Sequence, residues 1–246
     1  MNVYETILEK TSKKIKQLAV LIDPDKPTSD EIVSIASLSN DAGVDYFFVG
    51  GSLLTNNNLE KCILLLKEHS TIPVVIFPGN ALQINANADA ILLLSLISGR
   101  NPEMLIGRHV IAAPYLRESN LEVIPTGYML IDSGKTTTVL YMSNSIPIPA
   151  DKDDIAVCTA MAGEMLGLKL IYMDAGSGAL NPIPVSMISN VKNSISVPLI
   201  VGGGIRTPEK AIENCKNGAD VIVIGNAIEK DAQLIKDIAA AIKNYK

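Results

Sequence analysis

The sequence has few charged residues and no basic block. Charged residues make up 19% of the 246 residues, below the roughly 25% of an average chain, and the formal net charge is −5. A chain without a stripe of Lys or Arg lacks the electrostatic footprint for contacts with a phosphate backbone. The composition therefore argues against nucleic-acid binding. Any anionic ligand must be held by local devices such as backbone N–H groups or a metal.

Cysteines and long apolar runs are also scarce. The three cysteines, Cys62, Cys158 and Cys215, match no metal-binding or redox spacing, so we expect reduced thiols in a cytoplasmic protein. The N-terminal segment carries Lys and Glu but not the apolar stretch of a secretory signal. The longest apolar stretch, residues 90–97, is far shorter than the ~20 residues that a membrane span needs. We therefore expect no transmembrane span.

Short apolar runs alternate with longer amphipathic runs along the chain. The short runs are rich in β-branched residues and predict buried parallel strands, because their apolar residues are consecutive. They are residues 18–22, 44–49, 74–77, 90–94, 124–131, 170–173, 199–201 and 221–224. Helical patterns lie between most of them, at residues 29–41, 59–69, 102–116, 153–166, 184–193, 208–217 and 227–244.

This alternation predicts a single (β/α)8 barrel of the TIM type, with residues 1–246 as one domain. The segment of residues 78–87 has room for about one turn of helix, so we expect the helix after the third strand to be missing or reduced. A doubly wound open sheet is the alternative. In such sheets the glycine turn normally follows the first strand, where this chain has Asp23-Pro24-Asp25 instead.

Glycine-rich turns follow the last three predicted strands. They contain Gly176 and Gly178, then Gly202-Gly203-Gly204, and then Gly225. Glycine lets backbone N–H groups approach an anion closely, and each turn leads into a predicted helix whose N-terminus favours a phosphate. Because barrels usually bind phosphate after strands seven and eight, the turns predict a phosphate site there.

Polar side chains follow the first two predicted strands. Asp23 ends the first strand and should point into the mouth of the barrel, and Asp25 adds a second carboxylate. Carboxylates of this kind could hold Mg²⁺, which prefers oxygen ligands; the alternative is an Asp-Pro turn that caps the next helix. Gly50-Gly51-Ser52 ends the second strand, and Ser52 offers a hydroxyl ligand beside Asp23.

Together these motifs resemble the geranylgeranylglyceryl phosphate synthase family, which includes the related bacterial heptaprenylglyceryl phosphate synthases. The resemblance covers essentially the whole chain in order, including the weak third crossover. It implies a Mg²⁺-dependent prenyltransferase that joins sn-glycerol 1-phosphate to a long prenyl diphosphate, geranylgeranyl or heptaprenyl, and releases diphosphate. The motifs that carry it are Asp23-Pro24-Asp25-Lys26, Gly50-Gly51-Ser52, residues 172–178, Gly202-Gly203-Gly204-Ile205-Arg206 and Gly225-Asn226.

The resemblance also implies roles for particular residues. Asp23 and Ser52 would serve the metal, and Asp174 would accept or orient the glycerol hydroxyl, although many relatives have glutamate there. The glycerol phosphate would contact Tyr172, Asp174, Ala175, Gly176, Ser177, Gly178, Gly203, Gly204, Gly225 and Asn226. The apolar tail needs a groove, for which Tyr115 and Tyr128 are candidates.

Relatives in this family form dimers and hexamers, so we expect a homo-oligomer. Residues 141–149 are broken by prolines and predict a loop that packs on another subunit. A peripheral membrane contact through the lipid product is compatible with these expectations. The chemistry requires no histidine: we expect His69 to lie at the surface at the end of a helix and His109 to be structural.

Two rival functions use a similar barrel. A phosphosugar isomerase would share the last two glycine turns, but would need an acid–base pair facing across the barrel and neither a metal nor a long apolar groove. A phosphate-binding barrel that has lost activity is the other rival, against which the presence of Asp23, Ser52 and Asp174 argues.

Overall fold

Eight parallel strands close into a barrel in the computed structural model, which describes residues 2–245. The strands are β1 (Gln17–Ile22), β2 (Tyr46–Val49), β3 (Val74–Ile76), β4 (Ala90–Leu96), β5 (Glu122–Leu130), β6 (Leu170–Asp174), β7 (Leu199–Gly202) and β8 (Val221–Ile224). The predicted (β/α)8 barrel is confirmed, and the open-sheet alternative is wrong, because β8 pairs with β1. The extent of the domain, residues 1–246, stays a prediction whose two end residues lie outside the described range.

Helices pack around the outside of this barrel. They are α1 (Val3–Ser12), α2 (Ser29–Ala42), α3 (Leu59–His69), α4 (Arg108–Ser119), α5 (Thr138–Ser143), α6 (Asp153–Met165), α7 (Val185–Lys192), α8 (Pro208–Lys216) and α9 (Leu234–Asn244). A π-helical turn, Glu103–Gly107, runs directly into α4. Within residues 2–245, none of the helices combines the length and the apolar character needed to cross a membrane.

Local capping residues fix the ends of two helices. At α2 the Thr28 side chain accepts the Glu31 N–H, and the Glu31 carboxylate accepts the Thr28 N–H at 2.7 Å, so two unpaired donors of the first turn are satisfied. The same helix ends at Gly43, whose φ of +64° favours glycine. Thr207 caps α8, with Pro208 at its first position.

The first helix, α1, was not predicted, because its signal lies in tertiary contacts rather than in periodicity. The carboxylate of Glu122 accepts the N–H groups of Val3 at 2.6 Å and Tyr4 at 3.0 Å, which fixes the start of the helix. Val3 and Ile7 are buried in the same apolar cluster as the inward-facing strand residues. Helix α1 therefore closes the end of the barrel opposite to the mouth.

Two other segments differ from the sequence-based expectation. The predicted loop at residues 141–149 is wrong in its first part, because α5 continues to Ser143 and ends at Asn144 in a left-handed conformation (φ +48°). Helix α9 begins at Leu234 rather than at residue 227. The residues before it form turns instead, in which Ile228 N–H donates to the Gly225 carbonyl at 2.9 Å.

The expected absence of a helix after β3 is confirmed. Residues 77–89 form turns and extended backbone, and they fold against the turn after β2. The buried Gln83 amide makes this connection: Nε2 donates to the Gly51 carbonyl at 3.1 Å, and Oε1 accepts the Gly79 N–H at 2.9 Å. The crossover therefore builds one wall of the site at the mouth.

The strands are buried on both faces. Their outward residues pack against the helices, and their inward residues form a second cluster that fills the barrel. At the mouth this inner cluster ends in an aromatic group, in which the Phe77 ring lies 5.2 Å from Tyr172 and 5.9 Å from Tyr128 between centroids. These three rings form the floor of the site.

Candidate active site

The turns at the carboxyl ends of the strands surround a cavity of about 290 Å³, here called the mouth cavity. Most residues singled out in the sequence line it. They are Asp23, Ser52, Tyr128, Tyr172, Asp174, Gly176, Ser177, Gly178, Gly203, Gly204, Gly225 and Asn226. Ala175 is buried beneath its turn and is absent from this wall, and Tyr115 lies elsewhere. The fold therefore assembles the candidate set, while the binding role of each residue stays a prediction.

Asp174 ends β6 and is buried at the floor of the mouth cavity. Its Oδ2 accepts a hydrogen bond from the Tyr128 hydroxyl at 2.5 Å, and its Oδ1 accepts one from the Gly176 N–H at 2.7 Å. Burial raises the pKa of this carboxyl group, and the two hydrogen bonds lower it in part. The result is a desolvated carboxylate in a fixed orientation, which suits a group that accepts a proton.

The glycine turns after β6 and β8 are joined by hydrogen bonds. Asn226 Oδ1 accepts the Ser177 hydroxyl at 2.8 Å and the Gly178 N–H at 3.2 Å, so its Nδ2 group is left outside these bonds as a donor. The turn after β7 packs directly against Asp174. A Cβ atom on Gly203 would lie 2.8 Å from Asp174 Oδ1, and the φ of Gly203 is +83°. Glycine at this position is required both by the backbone and by the carboxylate beside it.

Asp23 follows β1, which lies between β8 and β2 in the closed barrel, and it lines the same mouth cavity. A Cβ atom on Gly51 would lie 3.4 Å from Asp23 Oδ2, so the carboxylate is adjacent to the turn that carries Ser52. Burial raises the pKa of Asp23, while the Asp25 N–H at 3.2 Å and the Lys26 ammonium group at 3.6 Å lower it. One carboxylate and one hydroxyl fit a cation that takes its other ligands from substrate and water.

Asp25 does not share that position. Its Oδ2 accepts the N–H groups of Thr55 at 2.6 Å and Asn56 at 3.0 Å, so it holds the turn after β2 in place. Asp25 does not line the mouth cavity, so the fold does not bring the two carboxylates together there, and a paired carboxylate site stays a prediction. Within the described residues 2–245, no group of three or more His, Cys, Asp or Glu side chains could hold a metal ion.

A second cavity of about 250 Å³, here called the apolar cavity, opens from the mouth cavity. Tyr128 and Phe77 line both. Its walls come from the turn after β2, the helix-free crossover, β4, the π-helical turn, α4, β5 and α5. Besides Phe77 and Tyr128, its apolar side chains are Leu53, Pro78, Ala81, Ile84, Ile91, Leu93, Leu94, Leu96, Met104, Ala112, Leu116, Val139 and Met142.

The structure places the two tyrosines predicted for the prenyl groove differently. Tyr128 lines the apolar cavity, whereas Tyr115 is 62% exposed on α4 and is not among its walls. His109 is a wall residue with its Nε2 atom 3.5 Å from the Ser95 hydroxyl, and burial lowers its pKa. The sequence pattern gave no signal for the wall residues of α4 and α5, because they come from several elements.

Charged residues of the mouth were also missed. Lys26 and Arg206 belong to motifs quoted above, but neither was assigned a role, and Glu229 was not singled out. All three line the mouth cavity. The Arg206 guanidinium donates to the Ala179 carbonyl at 2.5 Å, beside the turn after β6. Their signal in the sequence is only that each follows a strand end within one short loop.

A closed barrel with glycine turns and a buried carboxylate at its mouth places the protein among the (β/α)8-barrel enzymes. Residues 10–242 match the PcrB family, and the chain belongs to this family. A relative from Chitinophaga pinensis, named geranylgeranylglyceryl phosphate synthase, is 58% identical over 240 residues, which are 98% of this chain and 95% of that protein.

Other relatives extend this similarity to archaea and to solved structures. A geranylgeranylglyceryl phosphate synthase from Thermococcus kodakarensis is 42% identical over 94% of this chain and 92% of its own length. The crystal structure of (S)-3-O-geranylgeranylglyceryl phosphate synthase from Thermoplasma acidophilum, in complex with its substrate sn-glycerol-1-phosphate, superposes with a TM-score of 0.93. It is 35% identical and covers 99% of both chains. The resemblance found in the sequence is confirmed.

Proposed function

We propose that this protein is a prenyltransferase that joins sn-glycerol 1-phosphate to geranylgeranyl diphosphate. The observation that carries the proposal is the junction of two cavities at Tyr128, one lined by glycine turns and one apolar. A phosphorylated acceptor and an apolar donor each have a compartment of matching chemistry. A phosphosugar isomerase would have no use for the apolar cavity.

The reaction makes one bond and breaks another at the same carbon. The free primary hydroxyl oxygen of the glycerol phosphate bonds to C1 of the prenyl group, while the C1–O bond to diphosphate breaks and its electron pair leaves with the diphosphate. The hydroxyl group must lose its proton. Asp174 accepts or orients it: a carboxylate has about four lone-pair sites, and Tyr128 and Gly176 occupy two of them.

The glycine turns hold the phosphate of the acceptor. Gly203 and Gly204 both have positive φ, and they bring backbone N–H groups to the mouth next to the Ser177–Asn226 pair. Anion binding by backbone groups agrees with the formal net charge of −5, since no basic surface is required. The short distance between this cradle and Asp174 sets where the acceptor's hydroxyl groups lie.

The diphosphate leaving group binds next to Asp23. We propose Mg²⁺ as the cofactor, held by Asp23 and Ser52 and otherwise by diphosphate oxygens and water. The chemistry that a bound Mg²⁺ supplies is neutralisation of the departing diphosphate. The Asp25 N–H and the neighbouring Lys26 favour the charged form of Asp23 against the effect of burial, which raises its pKa.

We also propose that the protein forms a homo-oligomer, a dimer or a hexamer, in the cytoplasm. Ile106, Val110, Ile111 and Tyr115 on the π-helical turn and α4 are all more than half exposed, which supports contact with another subunit. The three free cysteines fit a reducing compartment. Sedimentation velocity tests the first point, and a monomer at working concentration would contradict it.

Product analysis tests the proposed reaction directly. The protein is incubated with Mg²⁺, labelled sn-glycerol 1-phosphate and a ladder of prenyl diphosphates, and the products are identified by mass spectrometry. We expect an ether product and the highest kcat/KM with the geranylgeranyl donor. A higher kcat/KM with the heptaprenyl donor would change the assigned donor but not the reaction. Absence of ether product with every donor would refute the proposal.

A further inference from the structure

Lys26 lies at the rim of the mouth cavity between two acidic side chains. Its ammonium nitrogen is 2.9 Å from Glu229 Oε1 and 3.6 Å from Asp23 Oδ2. Lys26 follows β1 and Glu229 follows β8, so the ion pair joins two turns of the barrel mouth. The side chains of Lys26 and Glu229 are 41% and 35% exposed. An ion pair this exposed is weak, so Lys26 can exchange Glu229 for a more highly charged anion.

The acidic side chains of the mouth cavity favour such an exchange. Two phosphorylated substrates enter a cavity already lined by Asp23, Asp174 and Glu229. Over residues 2–245, the cationic side chains that line this cavity are Lys26 and Arg206. Arg206 donates to the Ala179 carbonyl, on the side of the glycine turns. Of these two cations, Lys26 is the one that contacts Asp23, at 3.6 Å.

We propose that Lys26 binds the diphosphate of the prenyl donor and that Glu229 holds the Lys26 side chain at the rim while the mouth is empty. This inference rests on the proposed function, because it assigns the Asp23 side of the mouth to diphosphate. Lys26 acts by direct contact with the leaving group, and its charge stabilises the electron pair that departs with the C1–O bond. Glu229 is a positioning residue that competes with diphosphate for Lys26.

Calorimetric titration with inorganic diphosphate in Mg²⁺ buffer tests this assignment without turnover. Lys26→Met should weaken diphosphate binding about tenfold, the loss expected for a partly exposed charged hydrogen bond, and leave glycerol phosphate binding within about twofold. Lys230→Met is the matched control, because Lys230 is exposed, lies next to Glu229 and does not line the mouth cavity. It should bind diphosphate as the unaltered protein does.

Glu229→Gln should change the diphosphate affinity in the opposite direction. Freed from its partner, Lys26 should bind diphosphate about three- to tenfold more tightly. In the double variant Lys26→Met, Glu229→Gln this gain should vanish, because it acts through Lys26. A gain that persists in the double variant means that Glu229 acts only by general repulsion.

Three outcomes overturn the inference: diphosphate affinity of Lys26→Met equal to that of Lys230→Met, an equal loss for glycerol phosphate, or persistence of the Glu229→Gln gain. If Lys26→Met does not fold, the diphosphate affinities of Glu229→Gln and Lys26→Arg test the inference instead. Lys26→Arg keeps the charge and should keep diphosphate binding. Failure of the proposed function is distinguishable, because it appears as the absence of ether product with the unaltered protein.

Discussion

Tyr128→Phe isolates the hydrogen bond on which the candidate base depends. The change removes only the hydroxyl that donates to Asp174 Oδ2 at 2.5 Å, and both side chains are buried. A hydrogen bond to a charged group contributes about 1.5–3 kcal/mol, against a total stability of about 5–15 kcal/mol for a domain. We expect the free energy of unfolding at pH 7 to fall by that amount, measured by urea denaturation.

The loss should depend on pH in a definite direction. The Tyr128 hydrogen bond lowers the pKa of Asp174, so its removal raises the folded-state pKa further above the unfolded value. A raised folded-state pKa gives stability that is present at acid pH and lost as the pH rises through it. The deficit of Tyr128→Phe should therefore be smallest at acid pH and grow toward neutral pH. The acid limb of kcat/KM should move to higher pH, because Asp174 works as the carboxylate.

Tyr46→Phe is the matched control at the other end of the barrel. The Tyr46 hydroxyl is also buried and donates at 2.7 Å, but its acceptor is the neutral Gln17 amide. We expect a smaller loss of about 0.5–1.5 kcal/mol that does not vary with pH, and unchanged kcat/KM. The reasoning is refuted if both variants lose equal stability at every pH, or if the acid limb of Tyr128→Phe stays in place.

Three further predictions concern the mouth. Asp23→Asn should lower kcat/KM about a hundredfold or more without unfolding, because the site loses a charge and not volume; near-normal turnover at low Mg²⁺ contradicts the metal assignment. Gly203→Ala should raise the KM for glycerol phosphate, since its Cβ meets Asp174 Oδ1 at 2.8 Å; a KM equal to that of the unaltered protein contradicts the cradle. Finally, kcat/KM for sn-glycerol 1-phosphate should exceed that for the 3-phosphate about tenfold to hundredfold, because a buried carboxylate left unpaired costs about 1–3 kcal/mol. Equal values for the two enantiomers refute that geometry.

The strands of this barrel could be predicted because their signal is local. Consecutive apolar residues mark a strand buried on both faces, and the structure places all eight within a few residues of the prediction. Helix α1 could not be found in this way, since Glu122 fixes its first turn from more than a hundred residues away. The start of α9 was misjudged because the residues after Gly225 serve the mouth as turns before the helix begins.

The candidate site could likewise be predicted only where its sequence signal is local. Residues at strand ends, such as Asp23 and Asp174, could be predicted because parallel strands bring their carboxyl ends together. The apolar cavity could not, since its walls come from seven separate segments and most of them carry no motif. Tyr115 illustrates the error: its position in the chain favours a groove, but α4 turns it to the surface. Its inward neighbours Ala112 and Leu116 form the wall instead.

The position of Gly203 connects the proposed phosphate cradle with the proposed base. Its backbone belongs to that proposed cradle, yet a Cβ atom there would meet both Asp174 Oδ1 and the backbone nitrogen of Ala175 at 2.8 Å. The cradle and the base are therefore in van der Waals contact through one residue that has no side chain. An acceptor whose phosphate is fixed by the turn has its hydroxyl groups fixed relative to Asp174 as well. Because Tyr128 donates to the same carboxylate and also lines the apolar cavity, the proposed sites of the acceptor, the base and the prenyl tail are joined by one connected set of contacts.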